Sequence, residues 1–150
     1  MGAMNVSQAA LGFRAVRRLR PRAGERAVVV GVGPLGAAVR AVLTDVGVHA
    51  GVTEAVPGSE TLDGVTLLID TTGDPAVIAA LLETAPPLSR VGLLASNGGG
   101  LADVDFYRTV HQRGLDVVGV SDATPPAPED VRAAEDLARR TETSPASAPR

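Results

Sequence analysis

Apolar residues in this chain fall into short continuous runs, separated by stretches with helical periodicity. Continuous runs are typical of strands that are buried on both faces. The pattern predicts strands at residues 27–30, 48–53, 65–69, 91–94 and 115–120. Apolar positions at helical spacing predict helices at residues 5–20 and 35–46, and further helices are expected at residues 75–83, 104–113 and 129–140. Because strands alternate with helices, we expect one α/β fold of three layers with a five-stranded parallel sheet in the middle.

Two of the predicted helices carry start signals. Asn5, with Gln8 three residues later, resembles a capping box in which Asn replaces the usual Ser or Thr. Asp74 is a favourable N-cap, and Pro75 suits the first position of a helix. These residues predict where the first and third helices begin.

A glycine-rich turn joins the first strand to the next helix. Residues 31–36 read G-V-G-P-L-G and fit the pattern G-x-G-x-x-G, which is informative when it follows a buried strand and opens a helix. In such a turn Gly31 permits the tight bend, Gly33 lets the backbone approach a pyrophosphate, and Gly36 lets the helix pack on the strand. The helix N-terminus offers N–H groups and a positive dipole end to phosphates. The turn predicts a Rossmann-type dinucleotide-binding fold, with Pro34 and Leu35 also in the binding loop.

An acidic residue stands where the next strand ends. Glu54 lies eighteen residues after Gly36, close to the spacing at which such folds place an acid on the adenosine ribose. No arginine follows it to meet a 2′-phosphate, which favours NAD over NADP. The alternative is that the turn is only structural and that Glu54 is an acid of a surface loop.

Several segments resemble one family. Residues 24–36 look like the start of the cofactor domain of medium-chain dehydrogenases, the superfamily of zinc-type alcohol dehydrogenases, and Pro34 is characteristic of its zinc-dependent members. Residues 69–73 are similar to the family's strand-end Asp-x-x-Gly, and residues 90–95 resemble the strand whose exit loop reaches the nicotinamide. The resemblance covers roughly residues 8–140 and implies NAD(H) or a related adenine nucleotide as ligand. It implies further contacts to the cofactor from Thr71, Thr72, Gly73, Ala95, Ser96 and Asn97.

Two features depart from that family. We expect no catalytic domain with Cys and His zinc ligands, and the sequence contains no cysteine, so a zinc alcohol dehydrogenase mechanism does not carry over. Only eleven residues, 54–64, connect the second and third strands, where the family places a helix, a strand and another connection. This length allows a crossover but not the extra pair. We therefore expect the strand order 2-1-3-4-5 and an adenine pocket that lacks one wall.

Polar residues are expected around one crevice, because open parallel sheets bind ligands at the carboxyl ends of their strands. Asp70 is the candidate acid or base there, beside Thr71, Thr72, Ser96 and Asn97. Tyr107 and His111 are four residues apart, so they would share a helix face and form a second acid–base candidate. The stronger interpretation of this pair is a helix surface or a dimer contact.

Composition narrows the functions further. The sequence has no lysine and no cysteine, which excludes Schiff-base and thiolate chemistry, and its three aromatic residues provide no platform for nucleic acid. No apolar run is long enough for a membrane span, and we expect a cytoplasmic protein. Residues 1–26 carry a net charge of +5, whereas the whole chain carries −3. Such a segment can bind phosphates or an acidic partner, although a solvated helix face is the simpler interpretation.

The sequence suggests four segments: a basic helix and entry segment (1–26), a truncated dinucleotide-binding domain (27–121), a Pro-rich linker with a helix (122–140) and a disordered tail (141–150). Three functions stay open. The first is a stand-alone, degenerate cofactor domain that takes part in redox chemistry with a partner chain. The second is a cofactor-free cyclase or isomerase, and the third is a pseudoenzyme subunit. The resembled family pairs its last strand across a two-fold axis, so we also expect a homodimer through residues 115–120.

Overall fold

A five-stranded parallel sheet forms the centre of the protein, as predicted. The structure is a computed structural model that describes residues 4–95 and 100–143. The sheet order is β2-β1-β3-β4-β5, which confirms the order expected from the sequence. The strands are β1 (Arg26–Val30), β2 (His49–Thr53), β3 (Val65–Asp70), β4 (Arg90–Leu93) and β5 (Asp116–Gly119).

Helices cover both faces of this sheet and complete the three layers. They are α1 (Val6–Leu19), α2 (Pro34–Asp45), α3 (Pro75–Thr84) and α4 (Pro128–Thr143). One core joins α1 and α2 to β1 and β3 through residues such as Leu19, Leu43 and Ile69. The core on the opposite face contains Leu68 of β3 and Leu81 of α3. Because successive residues of β3 feed opposite cores, its run of apolar residues is continuous rather than alternating.

The helix starts follow the predicted caps. The Asn5 side chain accepts a hydrogen bond from the Gln8 amide at 3.1 Å, and the Asp74 carboxylate accepts one from the Ala76 amide at 2.9 Å. At the other end of the chain, α4 continues to Thr143 and so includes three residues that were predicted as tail. Residues 144–150 lie outside the described part of the chain.

The crossover between β2 and β3 contains a single short 3-10 helix, Ser59–Leu62. Its Leu62 is fully buried in the core beneath β3 and α3. The connection therefore crosses the sheet without adding a helix and a strand, as its length predicted. As a result β2 is an edge strand, with no further strand of the described residues beside it.

The helix predicted at residues 104–113 is present, but it is shorter than predicted and has the wider turn of a π-helix. The structure has a six-residue π-helix, Phe106–His111, in which the Gln112 amide bonds to the Tyr107 carbonyl oxygen five residues earlier. The wider turn buries Thr109, whose hydroxyl donates to Glu83 of α3 at 3.2 Å. Periodicity does not report this contact, because it joins residues that are 26 positions apart in the chain.

The basic N-terminal segment forms ion pairs with acidic residues of α4. Arg17 of α1 forms a two-point ion pair with Asp130 of α4, which is almost fully buried, and also contacts Glu129. The hydrogen bond to Asp130 is the main cause of a raised pKa of Arg17. These contacts join α1 to α4, so α1 is an integral part of the fold. Arg18 and Arg20, in the same segment, are exposed.

A second ion pair, between Glu25 and Arg90, makes the free energy of unfolding depend on pH in the acid range. Glu25 accepts hydrogen bonds from Arg90, the Arg22 amide and Thr66. Partial burial acts to raise the pKa of the Glu25 carboxyl, but these hydrogen bonds outweigh it and lower the pKa from 4.5 to about 2.

We expect Glu25→Gln to remove part of the stability near neutral pH. Because the folded pKa is lowered, the contribution of Glu25 is complete above pH 4.5 and is lost as the pH falls towards about 2. The difference in free energy of unfolding between the two proteins should therefore shrink over that interval in urea titrations. A difference that stays constant from neutral pH to pH 2 would contradict this account.

Candidate functional site

The candidate site lies where neighbouring strands β1 and β3 end. In the sheet, β2 lies on one side of β1 and β3 lies on the other. The direction in which strands are added therefore reverses between β1 and β3, and open parallel sheets bind ligands at such a switch point. Two loops border the crevice, one between β1 and α2 and one between β3 and α3. They carry most of the residues that the sequence assigned to the ligand.

Gly31 makes the turn that the fold requires. Its φ is +121°, a conformation that residues with a side chain rarely adopt. A Cβ at this position would lie 2.1 Å from the Thr71 hydroxyl oxygen, which donates a hydrogen bond to the Val30 carbonyl at 2.7 Å. Glycine at position 31 is therefore explained by the packing of the two loops.

Gly36 is likewise required by packing within the loop. A Cβ at this position would lie 1.8 Å from the Gly31 carbonyl oxygen, which is backbone and cannot rotate away. Glycine here lets the first turn of α2 approach the end of β1, as the sequence pattern predicts.

Gly33 differs from both of these glycines. It is the N-cap of α2 with an extended backbone, φ −75° and ψ −173°, which any residue can adopt. Among the residues that the structure describes, no atom lies within 4 Å of a Cβ placed at this position. The packing of the described residues therefore does not require glycine at position 33. Close approach of a ligand phosphate would require it, because a side chain would occupy the same space. Beside it, the first-turn amides of α2 have no partner within the helix.

Glu54 follows β2 directly and is exposed. The end of its strand is tied to the glycine-rich loop, because the Gly31 amide donates to the Thr53 carbonyl oxygen at 2.8 Å. A carboxylate in this position can accept two hydrogen bonds from a pair of adjacent hydroxyl groups.

Asp70 anchors the second loop. It is fully buried, and its carboxylate accepts hydrogen bonds from the Thr72 hydroxyl at 2.7 Å and the Gly73 amide at 2.9 Å. Both oxygens are therefore used in shaping the turn that places Thr71 against Gly31. An acid–base role for Asp70 stays a prediction, and no contact within the described residues favours it.

A cleft lies beside the glycine-rich loop, which contributes Leu35 to its lining. It has a volume of about 330 Å³ and lies between α1, Leu35 and the segment after β5. A smaller hollow of about 310 Å³ adjoins it and is lined by Ala95. The two share Ser121 and Asp122. Leu35, assigned to the ligand from the sequence, therefore lines the cleft, and Ala95, assigned likewise, lines the neighbouring hollow. Ser96 and Asn97 lie outside the described residues.

Tyr107 and His111 share one face of the π-helix, with ring centroids 5.2 Å apart. Tyr107 is 74% exposed and His111 is also exposed, so neither ring is enclosed as a catalytic pair usually is. Their chemical role stays a prediction. Within residues 4–95 and 100–143, no three His, Asp or Glu side chains are grouped so that they could hold a metal ion. No helix in the same ranges is both long and apolar enough to cross a membrane.

Solved structures show which proteins share this fold. Galactitol-1-phosphate dehydrogenase from Escherichia coli aligns with 93% of this chain and 49% of its own, at a TM-score of 0.76 and 15% identity. The 2R,3R-butanediol dehydrogenase of Bacillus subtilis aligns with 95% of this chain and 47% of its own, at a TM-score of 0.72 and 17% identity. A third match, at a TM-score of 0.71 and 16% identity, is an Escherichia coli alcohol dehydrogenase in complex with NADH, over 89% of this chain and 46% of its own.

These similarities confirm the Rossmann-type fold that the sequence predicted. In each of the three dehydrogenases, the matching fold is only one part of the chain. The chain spans less than half the length of each of the three dehydrogenases. No protein-family model and no curated protein sequence matches it.

Sequence reasoning missed the cleft between α1 and the segment after β5. Residues 122–128 were interpreted as a linker, and Arg14 only as part of a basic helix. The structure brings Arg14 to Ser121 and Thr124, more than one hundred positions away along the chain. No local pattern reports such a contact.

Proposed function

We propose that this protein binds a nicotinamide dinucleotide, NAD(H), in the crevice at the ends of β1 and β3. The observation that carries the proposal is Gly33, which stands beside the N-terminus of α2 with open space where a Cβ would be. Two of the three loop glycines serve the fold, and the remaining one leaves room for a pyrophosphate. The NADH complex of a structurally similar alcohol dehydrogenase supports the same assignment.

The residues around the crevice fit the parts of such a ligand. The amides of Leu35 and Gly36 would receive the pyrophosphate at the positive end of the α2 dipole. Glu54 would accept hydrogen bonds from the adenosine ribose. The nicotinamide half would extend past Leu35, towards Ser121 and Asp122. When bound, the nicotinamide would supply hydride transfer, and this chain's residues would bind and orient it.

The adenine side of the crevice sets the expected affinity. Since β2 is the edge of the sheet and residues 54–64 add no strand beyond it, one side of the adenine would face solvent. We therefore infer affinity in the micromolar range. The protein would act as a cofactor-binding unit that needs another polypeptide or domain for redox chemistry.

Calorimetric titration with NADH and NADPH tests the proposal. Glu54 should favour NADH, since its carboxylate repels a 2′-phosphate, and we expect a preference of at least about tenfold. Glu54→Gln should weaken NADH binding and reduce this preference, because it removes the negative charge while keeping the shape. An equal affinity for both ligands in both proteins would overturn the role of Glu54. No binding of either at millimolar concentration would overturn the proposed function.

We also propose that two copies pair through β5. This strand (Asp116–Gly119) has β4 on one side, and no strand of the described residues pairs with its other edge. Val117 and Val118 are only partly buried there, and open apolar edges are usually paired or covered. Sedimentation equilibrium at micromolar concentration should give the mass of a dimer, and a monomer would count against the pairing.

A further inference from the structure

Arg14 joins α1 to the segment that follows β5. Its Nη1 donates hydrogen bonds to the Ser121 carbonyl oxygen at 2.6 Å and to the Thr124 hydroxyl and carbonyl oxygens at 2.7 and 3.2 Å. Its Nη2 donates to the Pro125 carbonyl oxygen. A guanidinium group carries five N–H donors in a fixed plane, so one side chain can fix three residues of a segment that forms neither helix nor strand.

The same segment is a wall of the cleft of about 330 Å³. Ser121, Asp122, Thr124 and Pro126 form this wall, and α1 with Leu35 forms the other side. Leu35 belongs to the glycine-rich turn and also lines this cleft, so the cleft adjoins the place proposed for the pyrophosphate. The width of the cleft therefore depends on how closely residues 121–126 are held to α1.

We propose that Arg14 is a positioning residue for the nicotinamide half of the ligand. By holding residues 121–125 against α1, it shapes the cleft that receives the part of the dinucleotide beyond the pyrophosphate. This inference rests on the proposed function. Arg14 also lines this cleft, but its guanidinium group is engaged by the segment, so the proposed effect on the ligand acts through the position of residues 121–125. Lysine cannot replace it fully, since an ammonium group is a point charge without the planar fork.

The adenosine half should not depend on Arg14. Glu54 and the glycine-rich loop are held by contacts of their own, such as the bond from the Gly31 amide to Thr53. A ligand that carries adenosine and both phosphates but no nicotinamide riboside separates the two halves, and ADP is such a ligand. A purely structural role of Arg14 would affect NADH and ADP alike or neither of them.

The experiment compares the dissociation constants of NADH and ADP for wild type, Arg14→Met, Arg14→Lys and Arg18→Met. Arg18 is the matched control, because it lies on the same helix but is exposed and borders a different hollow, beside Arg22 and Asp116. Circular dichroism and thermal melting set a temperature at which every variant is folded.

We expect wild type to bind NADH more tightly than ADP. Arg14→Met should weaken NADH binding at least about tenfold while ADP binding changes less than about twofold, and Arg14→Lys should lie between Arg14→Met and wild type. Arg18→Met should match wild type for both ligands. The proposal is overturned if folded Arg14→Met binds NADH as wild type does, or if it loses NADH and ADP affinity equally. It is also overturned if wild type binds NADH no better than ADP, whereas binding of neither ligand would mean that the proposed function itself has failed.

Discussion

Gly36→Ala should destabilise the protein by about 3 kcal/mol, a large fraction of the stability of a small domain. The added methyl group would lie 1.8 Å from the Gly31 carbonyl oxygen. Relief would require α2 to move away from the end of β1. That movement would disturb the core in which Val39 and Leu43 of α2 pack against Val29 of β1. Chemical denaturation of both proteins measures the effect as a change in midpoint.

Gly51→Ala is the control for this substitution. Gly51 lies in the middle of β2 with an exposed surface, and a Cβ there would meet no atom within 4 Å. Because glycine weakens a strand interior, this substitution should raise the stability by about 0.5 kcal/mol. If Gly36→Ala is no less stable than Gly51→Ala, the close packing of the glycine-rich loop against α2 is not what the structure implies.

The sheet could be predicted from the sequence because its determinants are local. Buried parallel strands appear as continuous apolar runs, and β1 and β3 lie within a residue of their predicted positions. The strand order followed from the length of the connection between β2 and β3. Its eleven residues, 54–64, can cross the sheet but are too few to form a further helix and strand. Caps such as Asn5 and Asp74 act through amides two or three positions away, so they too are visible in the sequence.

The candidate site could be predicted only in part. The pattern located the glycine-rich loop, but it could not show that Gly31 and Gly36 serve packing while Gly33 faces open space. It placed Asp70 in the crevice as an acid or base, whereas the structure shows its carboxylate enclosed by its own turn. The contacts of Arg14 and the π-helical turn at Thr109 join elements that are distant along the chain. Their effect depends on tertiary packing, which periodicity does not encode.

Substitution of Gly33 should abolish binding of the dinucleotide and leave the fold intact. Gly33→Val places two methyl groups in the space proposed for the pyrophosphate, at a position where a Cβ meets no atom of the described residues within 4 Å. Gly33→Asp adds a negative charge at the same point. Aspartate is also a better N-cap than glycine, so this variant should be at least as stable as wild type. Together the two variants separate loss of binding from loss of folding.

Calorimetric titration of NADH into wild type, Gly33→Val, Gly33→Asp and Gly51→Val tests the central claim most directly. Gly51→Val adds the same side chain as Gly33→Val at an open position of β2, away from the loop. We expect micromolar binding to wild type and to Gly51→Val, and affinities at least about 100-fold weaker for both Gly33 variants. If the folded Gly33 variants bind NADH as wild type does, the open space beside α2 is not a pyrophosphate site and the account of the crevice is wrong.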